Sequence, residues 1–525
     1  MRILDIITTD RITTPSLKML QTKKRSYRIG TSTSICGSNS NDNDDEIDND
    51  LDIQNYDYDL AVVGGGPAGA HAAILAARSS YLPPSSSSSP SRHRSPRVLL
   101  IDSPKASGAL RDSPSASVTT KSSINSNDNS DESIIITEDP ADLSLGGPTG
   151  LFSKALRDAS KRVNVESLRS MGLSDDGLWG EVLNSIRTVA RYSSNDVREQ
   201  LKDVGVDTIV GLARFPGKYD MDDEKNISLK GRTDVLIVGK DRALGHNDND
   251  VDNDDDSTAN EKETRIRVKN VILSTGSKPF RPPNVPFDVH PDRIFDSDTI
   301  NSLSYLPKSV AITGSGVVAI EFAKIFRNLG GAEVTLIVRD PVPRRALEKS
   351  GLDRDISAVM VADLVKCGIK LEKGKEATAF QVPQSTMGRR RPEIRVTLEP
   401  KKQKSSESEA SATTATTPNA TGKQKKSEVR CDIYLAAVGR IPNTSRLNLK
   451  DAGIACDAYG SLLVNENLCC LRRQTDDDID DKEDKTKAIV GNVYGCGDIL
   501  GRPFLASVGV AQATVRLLCM RVSSF

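Results

Sequence analysis

Two glycine-rich turns, each between a predicted strand and a predicted helix, constrain the fold of this chain most. The first lies in YDYDLAVVGGGPAGAHAAILAAR, where Gly64, Gly66 and Gly69 form G-x-G-x-x-G after a Val-rich strand and before an Ala-rich helix. In such a unit the first glycine permits a tight turn, the second lets the backbone approach a pyrophosphate, and the third lets helix and strand pack closely. Because both flanking elements are present, the motif predicts a dinucleotide site that includes the neighbouring Ala68.

The strand after this helix supplies a candidate ribose acceptor, Asp102, at the end of RVLLIDSP. Dinucleotide sites of this kind place an acidic residue about 20 residues after the turn. Asp102 comes later than that, and the Ser/Pro-rich insertion at 79–96 accounts for the extra length. We therefore expect Asp102 to bind the ribose. The alternative is an ordinary aspartate in a turn at the end of a strand.

The second turn repeats this pattern from residue 309. The stretch SVAITGSGVVAIEFAKIFRNLGGAEVTLIVRD places Gly314 and Gly316 at the first two glycine positions and Ala319 at the third. Val317 follows the second glycine and joins both glycines in a second predicted dinucleotide site.

The charges that follow the next strand bear on which nucleotide binds there. EVTLIV is followed by Arg339, where an NAD site usually has a carboxylate for the 2′-hydroxyl. Arg339, with Arg344 and Arg345 nearby, suits a 2′-phosphate and favours NADPH. Asp340 keeps NADH open as an alternative, and the arginines are otherwise explained as part of a solvated loop.

Six polar segments interrupt the chain. They are rich in Ser, Asp, Asn or Lys and hold few apolar residues, so burial cannot offset the entropy of ordering them. The remaining sequence alternates strands and helices, which predicts a parallel sheet and an α/β fold class. We expect long disordered insertions or surface loops at residues 37–54, 79–96, 103–141, 240–264, 381–428 and 472–487.

Composition argues against several other functions. The formal net charge is −1 and aromatic residues make up 4%, so neither a basic field nor a stacking surface indicates nucleic acid binding. The 8 cysteines form no C-x-x-C pair and only 4 histidines are present, which argues against a metal site and favours a reducing compartment. The adjacent Cys469 and Cys470 are either redox-active or two thiols at the end of a strand.

The N-terminal region bears on localisation. The most apolar window, residues 59–77, contains the first glycine turn and indicates strand, turn and helix rather than a transmembrane span. The first 35 residues carry seven basic side chains among many Ser and Thr. This pattern predicts either an organelle transit peptide, for a plastid or mitochondrion, or a disordered tail on a cytoplasmic protein.

Three further segments carry a family resemblance. They are NVILSTGSKPFRPP with Thr275 and Gly276, DIYLAAVGRIPNT with Gly439 and Arg440, and NVYGCGDILGRPFLASVGVAQA with Gly497 and Asp498. Together with the two glycine turns, and in this order, they resemble the class I pyridine nucleotide–disulfide oxidoreductase family. The resemblance covers about residues 57–520, without the insertions.

The resemblance implies FAD and NADP or NAD as cofactors, with Asp498 on the ribityl chain of FAD. Lys154 and Glu321 match the lysine beside flavin N5 and its carboxylate partner, the alternative being an exposed helical pair. The implied fold has two nested Rossmann-like domains, an FAD domain split by an inserted NAD(P) domain. The expected ranges are 1–56 for a targeting or disordered segment, 57–305 for the first FAD part, 306–438 for the NAD(P) domain and 439–525 for the returning FAD part.

Two departures from the family determine the functional hypothesis. The stretch LGGPTGLFSKALRDASK, residues 145–161, lacks the cysteine pair that disulfide-using members carry before SKAL. Without a thiolate there is no nucleophile to open a substrate disulfide. The chain also ends where family members continue into a small dimerisation domain, so we expect that domain to be absent and the usual homodimer is in doubt.

We therefore expect an FAD-dependent NAD(P)H oxidoreductase. It would pass hydride from nicotinamide to flavin and on to an unidentified acceptor that is not a disulfide, as the family's soluble transhydrogenases do. One alternative is a redox-silent FAD- or nucleotide-binding protein. Another is a remnant similar to dihydrolipoamide dehydrogenase or mercuric reductase with a relocated thiol such as Cys496.

Overall fold

Parallel strands connected by helices make up most of the structure, a computed structural model. Apart from its first residue, the described part of the chain lies in the compact unit Asp57–Phe525. The structure describes residues 56–78, 96–103, 156–158, 160, 165–172, 174–222, 227–239, 263–383, 392–401, 426–473 and 488–522.

The strands of these ranges are numbered in chain order. They are β1 (Tyr58–Val63), β2 (Val98–Asp102), β3 (Asp207–Val210), β4 (Leu212–Arg214), β5 (Met221–Asp222), β6 (Ile227–Ser228), β7 (Val235–Gly239), β8 (Thr264–Leu273), β9 (Ser277–Pro279), β10 (Ile294–Asp296), β11 (Ser309–Thr313), β12 (Glu333–Val338), β13 (Lys370–Lys373), β14 (Lys375–Gln381), β15 (Ile394–Pro400), β16 (Ser427–Cys431), β17 (Ile433–Ala436), β18 (Arg440–Pro442), β19 (Cys469–Leu471) and β20 (Ile489–Gly495).

The helices connect and cover these strands. Within the described ranges, none of them is both long enough and apolar enough to cross a bilayer. They are α1 (Pro67–Arg78), α2 (Val165–Ser170), α3 (Asp175–Asp203), α4 (Val317–Gly330), α5 (Pro343–Glu348), α6 (Arg354–Lys366) and α7 (Ala506–Val522), with short 3-10 helices at Thr299–Ser302 and Gly497–Leu500.

The first sheet collects strands from both ends of the described chain. Its parallel strands lie in the order β20-β8-β1-β2-β3, with β19 and β7 added antiparallel. Both faces of β1 are buried, since Leu60 and Val62 pack on the side of α1 and α7 while Ala61 and Val63 pack on the other side. Burial on both faces explains the continuous apolar sequence of β1.

The second sheet is formed by the chain between the two parts of the first. Its five strands are all parallel, in the order β10-β17-β11-β12-β13. The antiparallel sheet β14-β15-β16 shares a hydrophobic core with one face, while α4 packs on the other. The chain crosses between the two sheets through β9 and β18, which pair as an antiparallel ribbon. The predicted α/β class with parallel sheets is confirmed.

Helix α3 is 29 residues long and contributes side chains to a hydrophobic core of each sheet. It begins after Ser174, whose side chain accepts a hydrogen bond from the Gly177 N–H. Near its start, Leu178 and Trp179 lie in the core that covers the second sheet. Near its end, Leu201 lies in the core between the first sheet and α1. The helix therefore packs against both sheets.

The prediction for one insertion was wrong at its centre, where β15 lies. Residues 381–428 were expected to lie outside any core, yet β15 is the central strand of the antiparallel sheet and its Ile394, Val396 and Leu398 are fully buried. The segment is polar as a whole, and that average hid the alternating apolar residues of EIRVTLEP. Most other residues of the predicted insertions lie outside the described ranges, as do residues 1–55.

The pairing of β10 bears on the expected boundary at residue 306, which stays a prediction. Strand β10 precedes that boundary but pairs with β17 in the second sheet, Ile294 opposite Tyr434. The second sheet therefore includes a strand that lies before the expected boundary. Sequence pattern missed this because β10 has only three residues, IFD, and its pairing partner lies far along the chain.

Candidate nucleotide-binding sites

Three segments meet at one edge of the first sheet. Because β1, β8 and β20 are parallel neighbours, the turns that follow them lie at the same, carboxyl edge, where open α/β sheets bind ligands. The structure therefore brings together the predicted residues of the first site, which are the turn after β1 with Gly64, Gly66, Ala68 and Gly69, the segment Thr275 and Gly276 after β8, and Gly497 and Asp498 after β20.

The glycines of the first turn divide into two kinds. Gly64 has a φ of +108°, and a Cβ there would lie 2.4 Å from the Ser274 carbonyl oxygen. A Cβ at Gly69 would lie 1.9 Å from the Gly64 carbonyl oxygen. At Gly66, by contrast, a Cβ would meet nothing within 4 Å. Gly64 and Gly69 are therefore needed for packing, while Gly66 leaves open space at the start of α1, as a pyrophosphate requires.

Two more predicted residues lie against this turn. Asp102 ends β2 and is buried, and a Cβ at Gly65 would come within 2.4 Å of its Oδ2. Ala68 packs towards the opposite segment, since a Cβ at Gly497 would lie 3.2 Å from the Ala68 Cβ. The Asp102 carboxylate is thus placed beside the turn, where a ribose acceptor is expected, and its role remains a prediction.

Asp498 lies in the turn after β20 and is held by the ribbon between the sheets. Its Oδ2 accepts a hydrogen bond of 2.7 Å from the Ser277 hydroxyl. The next residue back, Gly497, donates its N–H to Gln512 Oε1 of α7 at 2.8 Å. Ser277 therefore holds the Asp498 carboxylate, and Gln512 holds the backbone of the residue before it.

Arg440 is engaged by protein atoms through its whole guanidinium. Its Nε donates to Ser277 Oγ at 2.8 Å, its Nη1 to Ser297 Oγ and to Asp298 Oδ1, and its Nη2 to the Ser277 carbonyl and to Asp298 Oδ2. A guanidinium has five N–H donors, and these contacts use all five. These hydrogen bonds hold the ribbon to the segment after β10, and cofactor binding by Arg440 stays a prediction.

Thr275 also forms hydrogen bonds with the segment that follows β18 of the ribbon. The Thr275 hydroxyl donates to the Asn443 carbonyl at 2.7 Å, and the Asn443 amide donates back to the Thr275 carbonyl at 3.1 Å. Gly276 has a φ of +74° with open space where a Cβ would be. Of this pair, Gly276 therefore leaves the more room for a ligand.

The second site repeats the geometry of the first at the edge of β17, β11 and β12. Gly314 has a φ of +147°, and a Cβ there would lie 2.2 Å from the Ala437 carbonyl oxygen. Gly316 has open space at its Cβ, and Val317, 59% exposed, begins α4. Gly439, with a φ of +133° and open space at its Cβ, follows β17 at the same edge. This edge fits a second dinucleotide by the same criterion.

The acidic and basic side chains after β12 are paired to different degrees. Asp340 is already paired, because its Oδ2 accepts from Lys349 Nζ at 2.9 Å and its Oδ1 from the Val342 N–H at 3.0 Å. The Lys349 ammonium and then the Val342 N–H hold the pKa of Asp340 below its usual range. Arg339 Nη1 lies 3.7 Å from Glu376 Oε1, yet the Arg339 side chain is 64% exposed. Its guanidinium is therefore accessible to a ligand.

Glu321 has a partner that the sequence did not suggest. Its Oε1 accepts a 2.8 Å hydrogen bond from Arg157 Nη1, and the two line a cavity of about 250 Å³ with Ser160 and Lys324. Lys154, the predicted partner, lies outside the described residues. In SKALRDASK, Arg157 lies three positions after Lys154, and this spacing does not indicate a pairing with Glu321.

The cysteines that the sequence analysis singled out are buried. Cys469 and Cys470 are both buried in β19, and burial raises the pKa of the Cys470 thiol. Cys496 is 1% exposed, and burial raises its pKa to about 12. Among the side chains that the structure describes, no three of His, Cys, Asp or Glu form a cluster suited to a metal ion.

The sequence matches one protein family over most of this architecture. The profile of the pyridine nucleotide-disulphide oxidoreductase family matches residues 195–513. The chain belongs to this family. The family uses FAD and NAD(P)H, which agrees with the two open glycine turns.

Known proteins support the same assignment. The chain is 30% identical over 260 residues to a soluble pyridine nucleotide transhydrogenase of Colwellia psychrerythraea, covering 50% of this chain and 43% of that protein. It is 32% identical over 241 residues to one of Photobacterium profundum, covering 46% and 39%. The aligned part thus spans less than half the length of these relatives.

Solved structures share the fold at lower identity. The flavoprotein disulfide reductase RclA of Escherichia coli has a TM-score of 0.52 at 17% identity, covering 87% of this chain and 69% of that one. LpdA of Mycobacterium tuberculosis has a TM-score of 0.53 at 19% identity, covering 88% and 72%. At this identity the likeness shows the fold alone.

Proposed function

We propose that this chain is an FAD-dependent NAD(P)H oxidoreductase of transhydrogenase type. The first sheet, with strands from 57–293 and 439–522, would bind FAD, and the second sheet would bind the nicotinamide nucleotide. The observation that carries the proposal is the pair of turns in which Gly66 and Gly316 leave open space at a helix start. The names of the transhydrogenase relatives support the reaction class.

The residues have distinct roles in this proposal. When bound, FAD would accept hydride from the reduced nicotinamide and pass electrons to an acceptor. Asp102 and Asp498 would hold the ribose and the ribityl chain, and Gly66 would admit the pyrophosphate. Glu321, paired with Arg157, would fix the start of α4 near the reacting groups, with Lys154 as the cation beside the flavin.

The acceptor in this proposal is not a disulfide. No cysteine stands between Gly147 and Lys154, and the thiol of Cys496, next to the Asp498 turn, is buried with a raised pKa. A neutral thiol does not attack a disulfide. This supports direct transfer from flavin to the acceptor, with NAD⁺ as the first candidate.

The test is anaerobic reduction of the full-length, FAD-loaded protein by NADPH and, separately, by NADH. We expect the flavin absorbance near ~450 nm to bleach, and then to recover on addition of an NAD⁺ analogue but not of lipoamide or glutathione disulfide. Persistent oxidised flavin with both nucleotides would favour a redox-silent binding protein. Recovery with a disulfide would contradict the proposed acceptor.

Arg339 is expected to select NADPH over NADH. Replacement by Ala removes a charge-assisted contact with the 2′-phosphate, so the KM for NADPH should rise about 10- to 100-fold while that for NADH changes by less than about 2-fold. Arg395→Ala, at an exposed position of β15 in the antiparallel sheet, is the matched control. Equal effects of Arg339→Ala on both nucleotides would count against a 2′-phosphate site.

A further inference from the structure

The ribbon between the two sheets contains a hydrogen-bonded chain of side chains. It runs from Asp498 in the first sheet's edge through Ser277 and Arg440 to Asp298, which follows β10 of the second sheet. Partners in this chain are 142 to 221 residues apart in sequence. No local motif explains this arrangement.

The direction of each hydrogen bond follows from chemistry. Arg440 can only donate, so Ser277 Oγ must accept the 2.8 Å bond from Arg440 Nε. The Ser277 hydroxyl proton is then left for the 2.7 Å contact with Asp498 Oδ2, because an ionised carboxylate can only accept. Ser277 therefore has one hydroxyl orientation, and it holds one specific oxygen of Asp498.

Arg440 keeps this orientation because it is itself fixed. Asp298 accepts from both Nη atoms, at 2.7 and 3.3 Å, and Ser277 contributes its carbonyl oxygen at 2.7 Å. Arg440 is 20% exposed in its side chain and Asp298 30%. Such a bidentate pair is geometrically specific, and it ties the orientation of Ser277 to the second sheet.

We propose that Ser277 is a positioning residue for Asp498. By occupying Oδ2 it leaves Oδ1, which has no hydrogen bond to any described residue, as the atom that would accept a hydrogen bond from the flavin's ribityl chain. The inference rests on the proposed flavin site. It adds a residue whose hydroxyl, anchored through Arg440 and Asp298, sets the orientation of the flavin-binding carboxylate.

The test measures FAD affinity of the full-length apoprotein by titration, following quenching of flavin fluorescence. Ser277→Ala should weaken FAD binding about 10-fold, the effect of one lost charge-assisted hydrogen bond. Ser277→Thr keeps the hydroxyl and should restore binding to within about 3-fold of wild type. Ser297→Ala is the matched control, since Ser297 also accepts from Arg440, at 3.1 Å, but does not contact Asp498.

A double-variant cycle separates positioning from general loosening. If Ser277 acts through Asp498, the loss from Ser277→Ala should disappear in an Asp498→Ala background, because the carboxylate to be oriented is gone. Additive losses, failed rescue by Thr, or an equal loss in Ser297→Ala would overturn the inference. Unchanged FAD affinity in Asp498→Ala alone would instead refute the proposed flavin site.

Discussion

Gly64→Ala should destabilise the protein strongly, whereas Gly66→Ala should leave it folded but unable to hold FAD well. At Gly64 the added Cβ meets Ser274 backbone at 2.4 Å on a residue with φ of +108°. Positive-φ strain and overpacking together cost about 2–5 kcal/mol. At Gly66 the same methyl meets no protein atom within 4 Å, so the free energy of unfolding should change by less than about 0.5 kcal/mol.

The cost at Gly66 appears when the ligand binds. The new methyl occupies the space that the pyrophosphate needs, and FAD affinity should fall about 10- to 100-fold, or about 1.4–2.8 kcal/mol. The measurements are the apparent melting temperature of the apoprotein and FAD titration of each variant. A melting temperature lowered equally in both variants, or normal FAD binding by Gly66→Ala, would contradict the assignment of this turn.

Sequence could predict this part of the site because the information is local. A strand, a glycine turn and a helix follow one another within about 20 residues, and each glycine has a separate steric reason. The sheet rule then places the turns after β1, β8 and β20 together without further knowledge of the fold. The placement of Gly64, Gly69 and Gly314 against backbone atoms shows the same logic in atomic detail.

The parts of the site that the sequence did not predict depend on contacts between residues far apart in the chain. Arg440 occurs in a motif that suggests cofactor binding, yet its donors go to Ser277, Ser297 and Asp298. Sequence spacing contains no signal for such a set. The pairing of Glu321 with Arg157, 164 residues apart, is of the same kind. Short strands such as β10 are invisible for a related reason, since pairing across the sheet stabilises them more than local propensity does.

Trp179→Ala should cost about 3–5 kcal/mol, the usual loss for a large aromatic removed from a core. Trp179 is the only tryptophan in the chain and is 1% exposed. Its indole Nε1 donates to the Leu303 carbonyl at 2.9 Å, which joins α3 to the segment before β11. Because α3 also reaches the core of the first sheet, loss of the Trp179 side chain should loosen the connection between the two sheets.

Trp179→Phe separates the hydrogen bond from the packing. It retains much of the ring's buried area but leaves the Leu303 carbonyl without its donor, so we expect a smaller loss of about 1–3 kcal/mol. Tyr192→Ala, on the same helix at a position 73% exposed, should change stability by less than about 0.5 kcal/mol. Chemical denaturation followed by circular dichroism gives all three values. If Trp179→Ala were as mild as Tyr192→Ala, α3 would not be anchored in the core of the second sheet, and the connection between the two sheets would depend on the ribbon of β9 and β18.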